Sequence, residues 1–128
     1  MTVAEYFASV ERGLRRSRVL TGIDESLVCL ASDEYNGLLR CRARVSEASY
    51  LDIYEVISTE LGYPVGIHYS YTFVRDGRLV LRYDNALHHP EVATHPHHLH
   101  LGPAERVSSS DQPSLSHILR QVESLLLG

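Results

Sequence analysis

The sequence predicts an α+β domain: an antiparallel meander sheet of four to five strands, with an N-terminal and a C-terminal helix packed on one face. Three observations carry that expectation. Apolar residues recur at helical spacing near the two ends of the chain, and period-two alternation fills the middle. The connections between the alternating stretches are short, which makes them antiparallel neighbours.

The first predicted helix covers residues 2–16, where Val3, Phe7, Val10 and Leu14 recur at three- and four-residue steps. Thr2 caps its start, and Glu5 completes a capping box. Residues 27–31 are a short apolar run. After S-D-E-Y-N-G, residues 38–45 alternate, with Leu39, Cys41, Ala43 and Val45 on one side and Arg40, Arg42 and Arg44 on the other. Residues 50–58 alternate too, setting Leu51, Ile53 and Ile57 against Tyr50, Asp52 and Tyr54.

Residues 67–75 and 78–84 flank R-D-G-R, where Asp76-Gly77 reads as a two-residue hairpin turn. Ile67, Tyr69, Tyr71 and Phe73 share the core side of that strand, and His68, Ser70 and Thr72 the polar side. The G-P-A-E-R-V-S-S-S-D-Q-P stretch reads as loop. Residues 114–127 form the closing helix, with Pro113 suited to its first turn and Leu115, Ile118, Leu119, Val122, Leu125 and Leu126 as its apolar face.

A chain of 128 residues fits one domain, 1–128, with a single core. Its net charge of -4 gives no general attraction to nucleic acid, so a polyanion must be met by a local patch. All twelve basic residues are arginine, which excludes Schiff-base and P-loop chemistry. Two cysteines are too few for a disulfide scaffold, and the start M-T-V-A-E-Y-F carries an acid where a signal peptide is basic. No apolar run reaches the length of a membrane span. The expectation is a soluble cytoplasmic protein with reduced thiols.

Six of the eight histidines fall within residues 88–100. Imidazole titrates near neutrality, so it can take or give a proton in the cell, and it also ligates zinc, nickel or copper. Pro90 and Pro96 stiffen the segment, which leaves the end of the last long strand. Three readings stay open at this level: imidazoles bonding backbone in a surface loop, a metal site of His88 or His89 with His97, His98 or His100, or a metal-free catalytic site. Spacing tells against the metal, because H-E-x-x-H is absent. In an extended strand His95 and His97 take one side, and His98 and His100 the other.

The stripe Arg40, Arg42 and Arg44 is the local positive patch, able to meet phosphates. Asp52 and Glu47 can instead neutralise it as an ordinary solvated face. Asp84, at the strand end, is suited to accept a hydrogen bond from an imidazole and set its tautomer. Asn85 suits the turn that follows.

The stretches R-Y-D-N-A-L-H-H-P-E and T-H-P-H-H-L-H-L-G, with Y-S-Y-T-F before them, resemble the signature of the TumE-like toxins of type II toxin–antitoxin modules. The resemblance runs from about residue 50 to the C-terminus and is specific over residues 83–100. Leu87 departs from the family's usual proline, Leu99 from a lysine, and Thr72 from a frequent histidine.

The resemblance implies a growth-arresting toxin with an antitoxin protein as partner, acting as an endoribonuclease on RNA. Attack by the 2′-hydroxyl needs a base, an acid for the leaving oxygen and a cation for the phosphate. The candidate catalytic set is His88, His89, His97, His98 and His100 with Asp84. Arg82, Arg40, Arg42, Arg44, Tyr83 and Asn85 are the candidates for substrate binding. This reading requires no metal and no cofactor, involves no membrane, and allows a homodimer. The alternatives are a His-rich metal-binding or regulatory module without catalysis, and an interaction protein whose polar sheet face docks a partner.

Overall fold

The computed structural model describes every residue from Met1 to Gly128. Its elements are α1 (Val3–Arg16), α2 (Ile23–Ser26), β1 (Val28–Ala31), β2 (Asn36–Ser46), β3 (Ser49–Ser58), β4 (Val65–Arg75), β5 (Arg78–Asp84), β6 (His98–Leu101), β7 (Arg106–Ser109) and α3 (Leu115–Leu127). The strands form one sheet in chain order, each antiparallel to the next. The expected α+β meander with terminal helices is present, but it has seven strands rather than four to five.

The two added strands, β6 and β7, come from the histidine segment and from the stretch read as loop. Each has four residues, and neither carries the run of β-branched and aromatic side chains that marks a strand in a sequence. Their strand state is imposed by pairing: β6 on β5, and β7 on β6. The histidines therefore do not all trail beyond the sheet. His98 and His100 belong to it.

One face of the sheet is the core. Leu39, Ala43, Leu51, Ile53, Tyr71, Phe73 and Leu81 are buried there beneath Val3, Tyr6, Val10 and Leu14 of α1 and Ile118 and Val122 of α3. Each fully buried leucine or phenylalanine of this set contributes about 1.5–3 kcal/mol. Thr2 caps α1 by accepting the Glu5 N–H, as expected. Asp76 and Gly77 both take positive φ, 52° and 75°, the signature of the tight hairpin turn.

Two local expectations are corrected. A register shift pairs Val56 with His68 and Ile57 with Gly66, so Ile67 is an extra bulge residue and faces solvent. Pro113 precedes the capping residue Ser114 and so lies outside the first turn of α3. No helix is long and apolar enough to cross a membrane.

A charge also sits in the core. Glu55 of β3 is 2% exposed and accepts hydrogen bonds from the Tyr6 hydroxyl, at 2.5 Å, and from the Tyr71 hydroxyl. Burial raises its pKa above the ordinary carboxylate range, partly offset by the two phenols. The folded state thus holds this proton at pH values where the unfolded chain has released it. Stability from Glu55 is present below the ordinary carboxylate pKa and is lost as pH rises through the raised folded value.

Glu55→Gln should flatten that loss when urea midpoints are compared from about pH 4 upward. A variant as steep as the native protein would remove Glu55 as the cause. Glu55→Leu, which strands two phenols, should cost about 1–3 kcal/mol for each.

Candidate functional site

The helix-free face of the sheet is polar, and the strand register lays out its side chains in rows. One row runs Arg40, Tyr54, Ser70, Asp84, His98 from β2 to β6. The next runs Arg42, Asp52, Thr72, Arg82, His100. With strands about 4.8 Å apart, the arginine stripe stands about 19 Å from the strand histidines on one continuous surface.

Two depressions join along it. One of about 620 Å³ includes Arg40, Arg42, Tyr54, Ser70 and Thr72 in its lining. The other, about 370 Å³, shares Tyr54, Ser70 and Thr72 and adds His68, Arg82, Asp84 and Asn85. Together they form a groove leading from the arginines to Asp84. A larger cavity of about 700 Å³ lies between α1 and α3, bordered by Glu55, and does not reach the imidazoles.

At the groove's end the chain between β5 and β6 folds back over the sheet. Successive turns, His95 N–H to Val92 O and His97 N–H to Thr94 O, hold it, and the Thr94 hydroxyl donates to His97 O just before β6 and accepts from the Ser110 N–H just after β7. That return brings His88 and His89 onto His98 and His100. Ring centroids lie 4.9 Å apart for His98–His100, 5.0 Å for His89–His98 and 5.6 Å for His88–His89.

Asp84 lies beneath the rings. Its Oδ1 is 2.8 Å from His98 Nε2 and its Oδ2 is 3.4 Å from His100 Nε2. The backbone N–H of Ala86 also donates to Oδ1, at 3.0 Å. His98 and His100 are only 1% and 8% exposed, whereas His88 is open to solvent and His89 is half-buried.

The surroundings set the protonation of these rings. The Pro96 carbonyl is 2.9 Å from His98 Nδ1 and can only accept, so Nδ1 carries a proton and Nε2 faces the carboxylate. Nε2 is close to Asp84, yet the pair is out of line for a hydrogen bond, and it becomes an ion pair only when the ring carries a second proton. For His100, burial pushes the pKa down, Asp84 pulls it up, and the neighbouring His98, Arg82 and His89 push it down again, leaving it lowered. Glu91 is 3.0 Å from His89 Nδ1, and a carboxylate there favours the proton on that nitrogen.

Of the candidate catalytic residues, Asp84, His88, His89, His98 and His100 come together. His97 does not: strand alternation turns it to the opposite face, where its Nδ1 is 2.8 Å from the Tyr69 hydroxyl and the two rings stack. Tyr83 alternates the same way. It is buried on the core face and donates to Gln121, away from the groove. Asn85 borders the groove and brackets β4, accepting from the Tyr69 N–H and donating to the Ile67 carbonyl.

The arginines differ in availability. Arg42 is engaged with Asp52 through two contacts of 2.7 and 2.8 Å and lies over the Tyr50 ring. Arg44 donates to the Glu47 carbonyl. Arg40 lies over the Tyr54 ring and forms no ion pair, and Arg82 donates to Thr72 with Glu105 no nearer than 3.9 Å. Of these four, Arg40 is therefore the cation with no carboxylate or carbonyl partner, and Arg82, whose ion pair is long, is the next most available to an anion. Tyr54, Ser70 and Thr72, the shared floor, are legible from alternation, and Ser70 and Thr72 also fall within the Y-S-Y-T-F stretch, but none stands among the sequence candidates.

This assembly defines a class: a single antiparallel sheet whose open face carries a charged groove ending in a carboxylate–imidazole cluster. The family model described as Toxin TumE matches residues 11–126, nearly the whole chain. The protein belongs to the TumE toxin family, which makes it a toxin of a toxin–antitoxin system and implies an antitoxin partner. No curated protein and no solved structure matches it.

Proposed function

We propose that this toxin is an endoribonuclease that cuts by general acid–base catalysis on imidazole, without a metal. The observation that carries the reading is the course of the groove: it leads from Arg40 past Tyr54 to Arg82 and Asp84, with the imidazoles at its end. Single-stranded RNA fits such a surface, because the guanidiniums track its phosphates and the Tyr54 ring offers a stacking face. His88 and His89, the accessible rings, are assigned to the 2′-hydroxyl proton and the leaving 5′-oxygen. Arg82, facing His100 across the strands, takes the charge that builds on the phosphate. Asp84, His98 and His100 are positioning residues behind them.

The test is RNA cleavage by the purified protein in EDTA, with products ending in a 2′,3′-cyclic phosphate. Loss of cleavage on chelation would overturn the metal-free step. A second measurement probes the groove. Arg40→Gln and Arg82→Gln should each weaken binding evenly across sequences and lower the slope of log K against log salt by about 0.7. An unchanged slope in both variants would remove the groove as the RNA path.

A further inference from the structure

We propose that His89, His98 and His100 form a binding site for one divalent transition metal of the zinc class, with Asp84 in reach as a fourth ligand. One candidate nitrogen from each imidazole lies within 4.8 Å of the other two, and Asp84, His88 and His98 make an overlapping second set. Tetrahedral zinc holds nitrogens at about 2.0–2.1 Å, which places them about 3.4 Å from one another. Each pair therefore needs to close by about 1.5 Å at most, the scale of a small ring rotation.

Two further observations point to a ligand. Nε2 of His98 and both nitrogens of His100 are buried with no hydrogen-bond partner, although Nε2 of each ring lies near Asp84. Buried polar atoms in folded proteins are nearly always paired, and a metal would take up one such nitrogen from each ring. The outer contacts also match those of ligating histidines. Pro96 O on His98 Nδ1 and Glu91 on His89 Nδ1 draw the protons to those nitrogens, which leaves the Nε2 lone pair of each ring available to a metal. Imidazoles with one carboxylate suit zinc, nickel or cobalt and do not suit magnesium.

The site has a regulatory consequence, which rests on the ribonuclease reading. A bound metal occupies the His89 lone pair assigned there to proton transfer. Metal loading thus silences cleavage, and chelation restores it.

The experiment is a titration of metal-stripped full-length protein with Co²⁺, read by its visible absorption, and with Zn²⁺, read by calorimetry. Saturation at one ion per chain is expected, with a rise in Tm. His98→Ala and His100→Ala should abolish the cobalt spectrum, while His117→Ala, at an exposed position of α3, should keep it. Because the first two changes are buried, Glu91→Gln provides a folded control. At an exposed outer-contact position, it should weaken affinity about 10–100-fold without loss of structure.

Absence of saturable one-to-one binding, or binding that survives both buried substitutions, would overturn the site. Cleavage is scored separately. Zinc binding by a protein that cuts no RNA upholds the metal site and overturns both the ribonuclease reading and the silencing. Zinc that accelerates cutting upholds the site and overturns the silencing alone.

Discussion

Alanine at His88 or His89 is expected to lower the rate of RNA cleavage by about 10²–10⁴-fold, the range lost when a positioned acid or base is removed. The double substitution should cost little more than the worse single one, because groups acting in one step are not additive. The effect should fall on kcat, since proton transfer is an interaction made only in the transition state. His88 is exposed and His89 only half-buried, so stability should move by no more than about 0.5 kcal/mol at the first position and modestly at the second. Initial rates in EDTA, beside urea midpoints for the same variants, separate lost chemistry from lost folding. Rates within about threefold of the native protein would leave these imidazoles without a catalytic role.

Gly102→Ala is expected to be the most damaging small substitution for stability. Gly102 follows β6, and its N–H donates to the Val80 carbonyl at 2.9 Å. A Cβ there would lie 1.7 Å from the Leu79 carbonyl oxygen and 2.5 Å from its carbon. Both are backbone atoms of β5, so no side chain can swing away. Relief requires the end of β6 to lift from β5. Overpacking of this kind costs about 1–3 kcal/mol, and a rigid backbone obstacle places the loss at the upper end or beyond.

That is a large share of the 5–15 kcal/mol that holds a typical domain. The damage should also reach the site, because His100 lies two residues away and pairs with Arg82 across the same two strands. Denaturant midpoints and cleavage rates should fall together. Gly77→Asn is the control: its position has positive φ but open space, and asparagine tolerates that geometry. An unchanged midpoint in Gly102→Ala would mean that β6 is not seated on β5 as described.

The parts of this protein legible from residues alone are those set by local periodicity. The Arg40, Arg42, Arg44 stripe opposite Leu39, Cys41 and Ala43 needs only the two-residue repeat of an extended chain, and both sides appear where that repeat puts them. The same repeat separates His97 from His98 and His100. The family signature over residues 83–100 was readable too, because it consists of adjacent residue types.

What periodicity cannot convey is where a polar segment goes after its turn. Residues 106–109 and the histidine strand have little intrinsic strand preference, so their pairing depends on the edge that β5 offers. Glu55 escaped notice for a related reason. It sits in phase with Leu51, Ile53 and Ile57, but its partners Tyr6 and Tyr71 are 49 and 16 residues away.

The sequence by itself determined the chemistry in stock: an all-arginine set of cations, a crowded run of imidazoles, one carboxylate at a strand end, and a sheet with one oily and one wet side. Only the tertiary structure decided which four imidazoles converge on Asp84, which two of them are sealed from water, and which arginines remain free. The physical reason is range. Side-chain direction along a strand is a property of neighbouring residues, whereas burial and convergence come from a chain returning over its own sheet through contacts between residues far apart in order.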